Sequence, residues 1–115
     1  MILKQGDIIF IARRRLFVED RPRFFIGVVD QLHDGIIRTT GYVWVKEHLT
    51  GSIIMLNDKR TKIVSVASSS LQIHVLPSHL VVDEVMIKPG HHQTTILTDD
   101  KGFTMDISDR VPPGM

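Results

Sequence analysis

The sequence predicts an all-β protein. Apolar residues recur at a spacing of two or in short blocks. These blocks end at Gly, Pro, Asp or Ser, and no stretch carries the three-to-four spacing of a long amphipathic helix. At 115 residues a single domain with a modest hydrophobic core is expected. The composition, 43% hydrophobic and 23% charged, is too apolar for a disordered chain.

Residues 7 to 18 (DIIFIARRRLFV) form the first expected strand, followed by a polar turn at EDRPR, where Pro22 cannot donate to a ladder. Residues 23 to 32 (RFFIGVVDQL) form the second and residues 36 to 45 (IIRTTGYVWV) the third. Residues 46 to 60 read as a variable connection with a short strand extension at 53 to 56. TKIVSVA, residues 61 to 67, and LQIHVL, residues 71 to 76, complete five strands and are separated by Ser68, Ser69 and Ser70. The remaining residues differ in character. Residues 78 to 89 read as a strand or irregular segment in preference to a helix capped by Ser78, and GHHQ as a loop. Residues 94 to 98 and 103 to 107 flank DDKG as a second hairpin, and residues 109 to 115 read as a frayed tail. Residues 1 to 77 thus form the main unit, with residues 78 to 115 an extension that packs on it within the same domain.

The glycines of GVVDQLHDGIIRTTG, residues 27 to 41, fix the expected geometry of the second and third strands. Asp34 and Gly35 suit the two central positions of a tight hairpin turn, since both tolerate positive φ. Opposed residues then sum to 69. Gly27 faces Tyr42, Gly41 faces Val28, and both strands bend at one height, with Tyr42 covering the bare backbone of Gly27. This register puts Phe24, Ile26, Val28 and Leu32 with Ile37, Val43 and Val45 on a core face. Phe25, Val29, Gln31 and His33 join Ile36, Arg38, Thr40, Tyr42 and Trp44 on a second, covered face.

Absence of cysteine excludes disulfides, thiolate metal sites and a cysteine nucleophile. No apolar run reaches the roughly 18 to 20 residues of a membrane span, and the N-terminus lacks signal-peptide features, so a cytoplasmic protein without a membrane partner is expected. The net charge of +1 is unevenly spread. Residues 1 to 23 hold six bases and three acids, whereas residues 78 to 115 hold three bases and six acids. A basic front and acidic tail suit a nucleic-acid face with a separate acidic lobe, or opposite charges that meet within or between subunits.

The order of strand, polar turn, bent strand with internal Gly, tight turn, long strand, variable loop and two closing strands resembles the Sm/LSm-like small barrel over residues 6 to 77. FFIGVVDQLHDGII is similar to the first family motif through Gly27, Val29, Leu32 and Asp34, and IVSVASSSLQIHV to the second through the serine turn. The resemblance implies a five-stranded, strongly bent, SH3-like barrel with a C-terminal β extension. It also implies a homo-oligomeric ring, paired through strand edges 61 to 67 and 71 to 76, that binds RNA or DNA. The chain departs from the family where a base-gripping Asn gives way to Ile36 or Ile37, and an Arg-Gly pair to Ala67 and Ser68.

The candidate nucleic-acid contacts are Arg13, Arg15, Arg21 and Arg23 around the first turn, His33 and Arg38 near the hairpin, and Ser68 and Ser69. Solvated strand ends and ion pairs to the acidic tail are the competing explanation for the arginines. Phe25, Tyr42 and Trp44 either stack bases or lie beneath the hairpin of residues 94 to 107. His91 and His92 point apart on an extended chain, and His33, His74 and His79 show no ligand spacing with them, so no metal is expected. Neither a nucleophile elbow nor a phosphate-cradling Gly loop is present; no enzyme activity and no cofactor are expected. A structural ring that uses the barrel solely to assemble is the alternative function.

Overall fold

The structure, a computed structural model, describes residues 2–13, 23–47, 50, 52–56, 58–68 and 70–108. It is all-β, built from two antiparallel sheets. The larger contains β1 (Ile8–Arg13), β2 (Arg23–His33), β3 (Ile36–Lys46), β4 (Ile53–Met55), β5 (Arg60–Ser65) and β6 (Leu71–Val75). The smaller contains β7 (Met86–Pro89), β8 (Thr95–Thr98) and β9 (Thr104–Asp106). Strand order in the larger sheet is β4-β3-β2-β1-β6, with β5 also on β3. β4 and β5 share one edge of β3: residues 44 to 46 pair with β4 and residues 36 to 41 with β5. The sheet therefore has six strands rather than five, because the segment at 53 to 55 forms a ladder of its own.

The sheet does not close. β5 and β6 are not paired with each other, so their outer edges are free among the described residues. Yet it curls strongly, since Val64 of β5 and Leu71 and Ile73 of β6 pack against one cluster of Ile9, Ile11, Phe25, Val29, Ile37 and Val43. A backbone bond from Val66 N to Gly35 O ties the end of β5 to the β2–β3 turn.

The turn is as expected from its dipeptide, with Asp34 at φ 49° and Gly35 at φ 79°. The register is not as expected along its whole length. His33, Leu32 and Gln31 oppose Ile36, Ile37 and Arg38, but a bulge at Asp30 shifts the ladder by one, so that Gly27 opposes Gly41 and Ile26 opposes Tyr42. Tyr42 does not cover Gly27. A one-residue shift exchanges faces. Phe25 and Val29 join Ile37 and Val43 inside the curl, whereas Phe24 and Ile26 join Trp44 beneath the second sheet, reversing the expected sorting of these β2 side chains.

Beneath the second sheet lies the other core. Ile8, Phe10, Phe24, Ile26 and Trp44 pack against Leu76, Leu80, Val85, Ile87 and Leu97, with Phe103, Met105 and Ile107 at its margin. β1 contributes alternate residues to both cores, which explains its unbroken apolar run. Residues 78 to 89 hold a one-turn 3-10 segment, Val82–Glu84, and then β7; a second 3-10 turn, His91–Gln93, occupies the expected GHHQ loop. In the turn between β8 and β9, Asp99 Oδ1 accepts from Lys101 N at 2.8 Å and Phe103 N at 3.1 Å. No helix among the described residues is long and apolar enough to cross a membrane.

Candidate functional site

The register that pairs Ala12 with Phe24 brings Arg13, at the end of β1, and Arg23, at the start of β2, to the same end of the sheet. Lys62 arrives from β5, opposite the buried Thr39, and its Nζ lies 5.4 Å from the centroid of the Phe25 ring. The β5–β6 connection adds Ser68 and Ser70, whose hydroxyls are 2.8 Å apart. Together these side chains line a cleft of about 590 Å³ between the two free edges, floored by apolar residues including Ile11, Phe25 and Val43.

The electrostatics of the cleft are one-sided. Burial lowers the Lys62 pKa below its ordinary 10.5, and the charges of Arg23, Arg60 and Arg13 lower it further. Three arginines thus act on Lys62, and two of them, Arg13 and Arg23, share the lining of the cleft with it. Among the described residues none of them forms an ion pair with a carboxylate. The acids of the C-terminal region instead engage lysines: Asp83 with Lys59 at 3.7 Å, Asp100 with Lys88 at 2.7 Å and Glu84 with Lys101 at 2.9 Å. Asp83 also accepts from the Tyr42 hydroxyl at 2.8 Å, which raises the tyrosine pKa.

Arg13, Arg23 and Ser68 therefore converge, whereas Arg15, Arg21 and Ser69 lie outside the described residues. His33 and Arg38 do not join them. They line a second groove of about 420 Å³ with Gln31, Leu32, Ile36 and the 71% exposed Ile63, where His33 Nε2 lies 3.1 Å from Asp34. His33 and Arg38 thus lie in a different groove from Arg13, Arg23 and Ser68, and the two grooves meet at Ile63, which lines both. Two cations were missed, Arg60 and Lys62. The available signal was a lysine sharing a strand face with Val64, a cation where alternation calls for an apolar residue. Of the aromatic candidates, Phe25 is buried under Lys62 and Trp44 is 9% exposed beneath the second sheet.

No protein-family model, characterised protein or solved structure matches this chain.

Proposed function

We propose that the chain is a nucleic-acid-binding, Sm-like protein that takes RNA and works as a homo-oligomeric ring. The observation that carries the reading is the cleft with Arg13, Arg23 and Lys62 on its walls, Arg60 close by and no carboxylate paired to any of them among the described residues. An incoming polyanion offsets the burial and the arginine charges that disfavour the Lys62 ammonium.

Strand order supports the barrel assignment. With the short β4 set aside, the order β5-β3-β2-β1-β6 puts the counterparts of the family's fourth and fifth strands on the two outer edges. Pairing β5 of one subunit with β6 of the next would satisfy both edges, each otherwise an aggregation hazard. The exposed Ile63 on β5 and Val75 on β6 fit such a contact. A salt titration of oligonucleotide binding, together with native mass, tests the proposal. Affinity that falls with salt and a mass of several subunits are expected. No binding at low salt removes the nucleic-acid function, and a monomeric mass removes the ring.

Burial of Trp44 under the second sheet favours a second reading, a structural ring that assembles without nucleic acid. The same two measurements separate them, since that ring has the mass without the binding.

A further inference from the structure

We infer that Lys62 is a site of covalent acylation, its amine taking the acyl group of small acyl phosphates drawn into the basic cleft by Arg13 and Arg23. The cleft supplies a place for both reactants. Lys62 is exposed, so a reagent reaches it, yet its Nζ lies 5.4 Å from the centroid of the buried Phe25 ring. Arg13 and Arg23 line the same cleft, whose volume of about 590 Å³ admits a small organic anion. A guanidinium presents a planar fork of donors that matches phosphate oxygens. The arginines therefore suit the phosphoryl end of such a donor, which leaves the acyl carbon to the amine.

The same surroundings prepare the nucleophile. An ammonium has no lone pair and cannot attack. Burial and then the charges of Arg23, Arg60 and Arg13 lower the Lys62 pKa, so more of its amine is unprotonated near neutral pH than in an ordinary lysine. Lys88 and Lys101 are placed the opposite way. Their Nζ atoms lie 2.7 Å from Asp100 and 2.9 Å from Glu84, and the Glu84 carboxylate raises the Lys101 pKa. In the step itself the amine lone pair forms a C–N bond at the acyl carbon while the acyl C–O bond breaks. Inorganic phosphate leaves with that electron pair, and one amine proton passes to solvent. The product is an uncharged amide, which relieves the repulsion from the three arginines.

The test incubates the protein with acetyl phosphate and, in parallel, with the uncharged N-hydroxysuccinimidyl ester of acetic acid, and follows each lysine by peptide mass spectrometry. With acetyl phosphate, Lys62 is expected to react at least about threefold faster than Lys88 and Lys101. That preference is expected to shrink with the ester, because the arginines attract only the anion. Arg23→Gln is expected to slow Lys62 more towards acetyl phosphate than towards the ester, and to leave Lys88 unchanged. The lysine comparison lies within one folded molecule and stands even if the arginine variant does not fold. A Lys62 rate no greater than those of Lys88 and Lys101 overturns the inference. An equal preference with both reagents removes the arginines from the reaction and overturns the assignment of acyl phosphates as donors. Neither result depends on whether the chain binds oligonucleotides.

Discussion

Gly27 and Gly41 face each other across the β2–β3 ladder, and each lies so close to its surroundings that a Cβ would not fit. A Cβ on Gly41 would meet the carbonyl of Ile26 and the Cα of Gly27, all backbone. One on Gly27 would lie 2.6 Å from the Phe25 ring, 2.7 Å from the Thr40 carbonyl and 2.8 Å from the Thr39 hydroxyl, two of which are side-chain atoms and not backbone. Gly41→Ala is therefore expected to destabilise by about 3 kcal/mol or more and Gly27→Ala by about 1 to 3 kcal/mol. Urea denaturation checks the order; equal or negligible losses would mean that the strands do not approach this closely.

Thr39 is fully buried and donates its hydroxyl to the Val28 carbonyl at 2.9 Å. Thr39→Val keeps the shape and removes the bond. A loss of about 1 kcal/mol is expected by chemical denaturation.

Trp44 is the largest side chain between the two sheets. Trp44→Ala is expected to cost about 3 to 5 kcal/mol, through lost burial and the cavity left behind. If the second sheet were merely laid against the first, the variant would melt near the wild-type temperature.

Lys62 binds its proton less tightly in the folded protein than in the unfolded chain, because of burial and then its arginine neighbours. In that case the unfolded state holds more protons between the lowered pKa and the ordinary 10.5, and stability rises with pH across this window. Below it, the ammonium opposes folding. Lys62→Met keeps a flexible apolar contact with Phe25 and removes the charge. It is expected to raise the urea midpoint at neutral pH, to abolish that part of the alkaline rise, and to weaken oligonucleotide binding.

Asp99 has the opposite sign. The amides of Lys101 and Phe103 hold its pKa below the ordinary 3.8, against the effect of burial. Its stabilisation is complete above that value and is lost as pH falls through the lowered one. Asp99→Asn is expected to be less stable than wild type at pH 7 and to approach it in acid. Parallel urea curves for the two proteins across the acid range would show that the carboxylate charge is not used.

Local chemistry made much of the fold legible. The Asp34-Gly35 turn and the β2 and β3 boundaries follow from dipeptide preference and period-two patterning, which act within a few residues. The bulge at Asp30 did not follow from these, because one extra residue leaves the local pattern intact while exchanging faces further along. Period-two patterning without the bulge puts Phe25 and Trp44 on one face, whereas they belong to different cores. Of the site, Arg13, Arg23 and Ser68 were within reach of sequence reasoning as neighbours of turns. Lys62 was legible only as a cation where alternation calls for an apolar residue; its place over Phe25 follows from the curl of the sheet.

By itself the sequence determined an all-β chain and a tight hairpin at Asp34-Gly35, both properties of short segments. Tertiary structure decided the strand register beyond the bulge, the placing of His33 and Arg38 in a second groove, and the gathering of Arg13, Arg23 and Lys62 around one opening. The physical reason is that a face, a cleft or an electrostatic cluster depends on which distant strands meet, and here one bulge and one pair of close-packed glycines set those meetings.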